Sequence, residues 1–216
     1  MKNEKIIVRL MWAFSMLPVL LTLIVFEKLP DQIPMHWNIH GEIDAWYSKF
    51  PWAFAIPLLG IIITVLISVL PKIDPKKENY EKFKPQYFII RLFVIIFLAV
   101  MQIIIIFTSM GATFLKVDTI IKFLVGILFI ILGNLMPKLK QNYFVGIKTP
   151  WTLANEVVWT KSHRHGGFVW FGTGFIMSGL AFVPGMGSSV VYFTLIFVSA
   201  IEPIIYSWIR FRKETK

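Results

Sequence analysis

FIIRLFVIIFLAVMQIIIIFTS, residues 88–109, is 22 residues long and carries a single charge, Arg91. As an α-helix it would be about 33 Å long at 1.5 Å per residue. That matches the roughly 30 Å of hydrocarbon in a bilayer. Only helices and closed barrels satisfy their own backbone polar groups inside lipid. This stretch lacks the period-two alternation of a barrel strand, so it reads as a membrane-spanning helix. Five further segments have the same character: Val8–Phe26, Trp52–Leu70, Ile120–Met136, Phe168–Val183 and Val190–Ile209. The expected fold is an all-α, polytopic integral membrane protein with six spans. Lys122, near the start of the fourth, must snorkel toward the headgroups.

Composition agrees. The 216 residues are 56% hydrophobic and only 16% charged, against about a quarter charged in a soluble domain. With no cysteine, disulfides, thiolate metal sites and a cysteine nucleophile are excluded; no cofactor is expected. The N-terminal run resembles a signal peptide. At about 18 apolar residues it exceeds the usual h-region, and no small-x-small site follows, so it is expected to stay as a span.

The net charge of +10 suggests nucleic acid until the charges are placed. With the N-terminus in the cytoplasm, only Lys28, Lys49, Lys116 and Lys122 of the 22 basic residues lie outside. Such asymmetry is the positive-inside signal. It predicts both termini cytoplasmic and no direct nucleic-acid partner. The partner it implies is the lipid bilayer of a plasma membrane.

Three connections carry pattern. The first, Glu27–Pro51, is outside and contains IPMHWNIHGEID (33–44), in which Ile33, Met35, Trp37 and Ile39 alternate with polar residues and Pro34. Alternation indicates an extended segment, and Gly41 permits a turn. In a strand His36 and His40 would be roughly 13 Å apart, too far to share a zinc ion. A small folded element at the membrane surface is the better reading, with Trp37, Trp46, Tyr47 and Trp52 as an interfacial belt. His36, Asn38 and Asp44 then fold the loop or contact a ligand. The second, PKIDPKKENYEKFKPQ (71–86), reads as a solvated, Lys-rich linker near anionic lipid.

The third, GNLMPKLKQNYFVGIKTPWTLANEVVWTKSHRHGG (133–167), is the richest. Asn134 is expected to pack against another helix or cap a terminus. Thr152 reads as the N-cap of a helix through about Arg164, with Asn155 in a weak capping box. Glu156 is expected to pair with a basic neighbour, and Arg164 to meet phosphate headgroups. Glu156 and His163 fall on one helical face about 10 Å apart, so they cannot share an ion unaided. No HExxH, GxSxG or Walker pattern occurs. Glu202, within the sixth span, is an ionisable group at membrane depth and a functional candidate by default. If its role is structural, it is expected either to pair with Arg91 or Lys122 or to be a protonated acid hydrogen-bonded within the bundle. A membrane hydrolase on Glu156, His163 and Glu202, or a small proton-coupled transporter using Glu202, stand as alternatives to a non-enzymatic receptor.

Both patterned loops resemble known families. PDQIPMHWNIHGEIDAWYSK resembles the extracytoplasmic IPxHWNxxGxxD motif of a membrane domain of unknown function, at Ile33, Pro34, His36, Trp37, Asn38, Gly41, Asp44 and Lys49; His40 is not one of its positions. The later loop resembles the SdpI-like family signature, at positions including Gly133, Asn134, Pro137, Asn142, Gly146, Thr149, Pro150, Trp151, Thr152, Asn155, Glu156, Trp159, His163, Arg164, Gly166 and Gly167. The resemblance divides the chain into an N-terminal membrane region, 1–110, with the loop at 27–51, and an SdpI-like region, 111–216, with the signature at 137–167. It implies a polytopic, non-enzymatic protein of the bacterial plasma membrane that gives immunity to a secreted peptide toxin of the sporulation-delaying type. It further implies a toxin meeting the outer face and a small transcriptional autorepressor sequestered at the cytoplasmic face. No catalytic residue comes with it.

Overall fold

The computed structural model describes residues 2–38, 41–112, 116–183 and 189–215. Helix α1 (Lys2–Val25) leads through a 3-10 turn into a hairpin of β1 (Gln32–Trp37) and β2 (Ile43–Ser48). There follow the single turn α2 (Lys49–Trp52), α3 (Ala55–Ile73), a 3-10 helix at Lys77–Phe83, and α4 (Lys84–Ser109). Then come α5 (Val117–Leu135), a 3-10 turn at Met136–Lys138, the short α6 (Pro150–Ala154), α7 (Glu156–Leu180) and α8 (Ser189–Glu214).

Five helical stretches among the described residues are long and apolar enough to cross a membrane: Lys5–Lys28, Lys49–Ile73, Lys77–Ser109, Val117–Lys138 and Ser189–Glu214. The chain is an all-α membrane protein, with one small hairpin among the described residues. The sixth expected span, 168–183, lies largely in the C-terminal part of α7 and is not among the five. Glycines and the polar KSHRH stretch dilute that helix.

Two compact units form. One comprises Met1–Ser68 and Arg91–Ile120, the other Val69–Ile90 and Ile121–Lys216. In the first, buried polar side chains tie the helices. Ser15 Oγ lies 2.6 Å from Thr64 Oγ1, and Arg91 Nη2 donates to Ser68 Oγ at 2.7 Å. Gln102 Nε2 donates to Thr22 Oγ1 at 2.9 Å and to the Ala53 carbonyl at 3.0 Å. Lipid is as apolar as leucine, so such bonds rather than a hydrophobic force specify which faces meet, at about 0.6 kcal/mol each.

In the second unit, α5 and α7 approach closely at glycines seven residues apart on each helix. A Cβ on Gly167 would stand 2.7 Å from the Gly133 carbonyl oxygen, and one on Gly174 2.6 Å from that of Gly126. This corrects the expected helix end near Arg164. Gly166 and Gly167 do not stop α7; they let its backbone pack. Further along, an apolar cluster forms around Phe129, Met177 and Tyr192.

Candidate functional site

Two patterned regions, one in each unit, carry the candidate residues. The hairpin realises the alternation of residues 33–37. Its strands pair antiparallel, with Ile33 opposite Tyr47 and His36 opposite Ala45. Ile33 is fully buried and packs with Leu29, Ala53 and Ile105, while Met35 and Trp37 lean on the same cluster. The apolar face thus seats on the ends of the helices.

The polar face folds the turn. Asn38 N–H donates to the Glu42 carbonyl at 2.8 Å, and Glu42 N–H donates to Asn38 Oδ1 at 3.1 Å. Gly41 adopts φ 79°, a left-handed conformation that side-chain-bearing residues rarely take. A Cβ there would also stand 2.8 Å from Asp118 Cβ. His36 Nδ1 meets Asp44 Oδ1 at 2.5 Å across the strands, with both side chains largely exposed. His40 lies outside the described residues. Around this face Trp46, Tyr47, Phe50 and Trp52 are exposed.

The second region is a folded platform, and its centre corrects the reading of 71–86 as a solvated linker. Asp74 is 2% exposed. Its Oδ1 accepts Lys76 N–H at 2.7 Å, as an aspartate in a local turn does. Its Oδ2 accepts Tyr143 N–H at 2.9 Å and the Tyr80 hydroxyl at 3.0 Å. Tyr80, Phe83 and Tyr87 are buried as an aromatic cluster with ring centroids 5.0 to 6.3 Å apart. Tyr, Phe and Tyr at this spacing were the available sign that the segment packs.

Asn142, fully buried, holds the loop that follows. Its Oδ1 accepts N–H groups of Phe144 at 2.9 Å and Val145 at 2.7 Å. Its Nδ2 donates to the carbonyls of Lys140 at 2.9 Å and Val145 at 3.0 Å. Gln141, which the sequence did not single out, donates to the carbonyls of Thr152 at 2.7 Å and Leu153 at 2.8 Å and accepts from Lys76.

The cap assignments shift by three residues. Thr149 caps α6 in a reciprocal capping box with Thr152, and Pro150 occupies the first turn. Asn155, in extended conformation, caps α7 through Val157 and Val158 N–H. Asn155 leaves the helical conformation, which breaks the helix expected from Thr152 into two.

His163 is fully buried and stacks on Trp159 at 3.9 Å. Its Nδ1 donates to the Trp159 carbonyl at 2.8 Å, and its Nε2 accepts Ile147 N–H at 2.9 Å. Both nitrogens serve the backbone, so the ring is neutral. Burial pushes it down to about 4. Gly146, at φ 116°, lies so close to His163 Nε2 that no side chain fits. Trp159 Nε1 donates to the Leu139 carbonyl at 2.9 Å, and Trp151 Nε1 to Ser207 Oγ at 2.5 Å.

Other expectations do not hold. Glu156 is exposed and makes no ion pair among the described residues, because the α7 N-terminus projects it outward. Arg164 is exposed too, which is compatible with the headgroup contact expected of it. Asn134 is exposed rather than packed against another helix, turned about 100° around α5 from the buried Gly133. Glu202 pairs with neither Arg91 nor Lys122. Its Oε1 meets His165 Nε2 at 2.6 Å, while Arg91 bonds to Ser68 and Lys122 lies over the Tyr192 ring. Glu156, His163 and Glu202 therefore each have separate surroundings, with His163 occupied on both nitrogens.

The hairpin and the part of the platform from Leu139 onward fall within two family matches. Residues 138–207 match the SdpI/YfhL protein family, and residues 13–61 match a domain of unknown function, DUF1648. The chain is 29% identical over 197 residues to a protein named Immunity protein SdpI from Bacillus subtilis (strain 168), covering 91% of this chain and 92% of that one. No solved structure matches. The similarity runs through nearly the whole length of this membrane protein, and the match to the SdpI/YfhL family covers the stretch in which Asn142, Thr149, Thr152, Asn155, Trp159 and His163 build the platform.

Proposed function

We propose that this protein gives its bacterium immunity to a secreted, membrane-active peptide toxin of the sporulation-delaying type. The observation that carries this is similarity to the immunity protein along 91% of the chain, hairpin and platform included. The protein acts without catalysis. His163 and Asn142, both fully buried in the platform, are engaged in holding backbone.

The spans number six, both termini are cytoplasmic and the hairpin faces outward. Toxin then meets His36, Trp37, Asn38 and Asp44 and the exposed aromatic residues beside them. The platform faces the cytoplasm, where a small transcriptional repressor would bind for signalling.

Growth of a toxin-sensitive strain tests the first claim. Expression of this chain at verified membrane levels should restore growth in toxin, and continued killing at that level would refute immunity. Topology is testable because the chain has no cysteine. A single cysteine at 42 should react with an impermeant maleimide on intact cells, and one at 77 or 161 only after lysis. The reverse pattern would overturn the orientation.

A further inference from the structure

The hairpin pairs β1 with β2 and no third strand among the described residues. Each strand therefore has an outer edge whose N–H and C=O groups lack a ladder partner. Lys49 N–H donates to the Asp31 carbonyl at 2.8 Å, and the register sets Gln32 opposite Ser48, Ile33 opposite Tyr47 and Pro34 opposite Trp46. Bonded and unbonded pairs alternate in an antiparallel ladder. Ile33–Tyr47 is thus a bonded pair, and the backbone groups of Trp46 and Ser48 point away from β1.

The two edges differ. Pro34 falls in an unbonded pair, so the donor it lacks is missing from the outer edge of β1. It is also buried, together with Ile33. That edge cannot take a full ladder. β2 has no proline, and its Asp44, Trp46, Tyr47 and Ser48 are all exposed. Among the described residues no other segment bonds to the outward backbone groups of Trp46 or Ser48. Native proteins usually blunt an open edge with proline or charge. β1 has the proline; β2 has only Asp44, a charge that selects among partners.

Residues 27–51 hold Glu27, Asp31, Glu42 and Asp44 against Lys28 and Lys49, in a chain whose net charge is +10. The hairpin region is thus acidic on a basic protein. A second copy would bring the same carboxylates to a shared edge, and like charges across strands repel. A basic, apolar segment gains instead. The carboxylates attract it, and Trp46 and Phe50, 52% and 70% exposed, offer aromatic surface beside the edge.

We infer that the outer edge of β2 is a docking site for a cationic, apolar peptide segment, which joins the hairpin as a third strand. This rests on the proposed immunity function, in which the peptide is the secreted toxin. The bound segment exchanges backbone hydrogen bonds with Trp46 and Ser48. Held as a strand, it is not free to form the helix that a lone peptide needs to satisfy its backbone in lipid.

Ser48→Pro isolates the edge. Ser48 has φ −55°, which a proline ring accepts, and its N–H points outward, so no ladder bond is lost. Ser48→Ala keeps that N–H and is the control, since both variants lose the hydroxyl bond to the Phe50 carbonyl. Each full-length protein, in nanodiscs, is titrated with a fluorescent synthetic toxin of the sporulation-delaying type. Ser48→Ala should bind like the wild type, and Ser48→Pro about tenfold or more weakly, because a peptide carbonyl loses its donor. Equal binding by the two variants would overturn the strand edge. Hydrogen exchange needs no variant: the 43–48 segment of the wild type should exchange more slowly at toxin saturation, and unchanged exchange would also overturn it. Glu42→Gln keeps an acceptor for Asn38 and removes a charge. It should weaken binding about two- to fivefold at low salt, and no change would sink the charge selection. A toxin-free dimer that dissociates in Ser48→Pro would give the edge to a second copy and overturn the peptide as occupant. Growth in toxin is scored separately. A wild type that protects cells without binding the peptide overturns the docking and leaves immunity standing; one that binds without protecting does the reverse.

Discussion

Replacing Asp74 by Asn changes almost no volume and strikes the centre of the platform. The aspartate uses both oxygens: Oδ1 for Lys76 N–H at 2.7 Å, and Oδ2 for Tyr143 N–H at 2.9 Å and the Tyr80 hydroxyl at 3.0 Å. An amide has only one oxygen. Keeping it at the Oδ2 position preserves two bonds, but sets an NH2 group against Lys76 N–H. The loss is one hydrogen bond to a charged acceptor, worth about 1.5–3 kcal/mol, plus the cost of opposed donors. We expect the 74–83 segment to open more easily from residues 141–145 by about 2–4 kcal/mol, or roughly 30- to 700-fold in population. Hydrogen exchange read by mass spectrometry on the protein in detergent measures this. Peptides covering 74–83 and 141–148 should exchange faster by that factor, whereas exposed Glu78→Gln should leave them unchanged. Exchange in Asp74→Asn within about threefold of the wild type would refute Asp74 as the tie between these segments.

His163 sets a pH dependence. Its folded value, about 4, lies below the ordinary 6.5, so between these pH values the unfolded loop binds a proton that the folded loop does not. Stability present above pH 6.5 is lost as pH falls toward 4, by up to about 3 kcal/mol. His163→Gln should flatten that slope in unfolding measured at pH 7 and pH 4.5, and an unchanged slope would count against the assignment. In α7, Gly167→Ala should lower the melting temperature, with an overpacking cost of about 1–3 kcal/mol against Gly133. Gly172→Ala, where a Cβ meets open space, should raise it through better helix propensity, by about 1 kcal/mol at most. The exposed His36–Asp44 pair contributes at most about 1 kcal/mol to stability. Under the proposed function His36→Ala should therefore reduce protection from toxin while leaving expression and melting unchanged. Full protection would remove His36 from the contact surface.

Apolar length is a local property, and five of the six expected spans stand among the described residues as helices long and apolar enough to cross a membrane. The helices stand where the apolar runs are, α4 around Phe88–Ser109 above all, because a backbone in lipid has few other ways to bond itself. The hairpin was legible for a similar reason. Period-two alternation from Ile33 to Trp37 specifies which side chains share a face, and Gly41 marks the turn. Asn142, Thr149, Asn155 and His163 were also visible as unusual polar residues in a patterned loop, though not the bonds they make.

Those bonds join residues far apart in the chain: Asp74 to Tyr143, Gln141 to Leu153, His165 to Glu202. A helical run states its length but not how it is rotated about its axis or which neighbour it meets. Glu202 could therefore be recognised as costly, while its partner was decided only when the glycines of α5 and α7 and the bond from Trp170 Nε1 to the Ser199 carbonyl fixed how those helices cross. Likewise PKIDPKKENYEKFKPQ is charged enough to read as solvated. It is the burial of Asp74, Tyr80 and Phe83 against the rest of the platform, a tertiary fact, that makes it part of the folded structure.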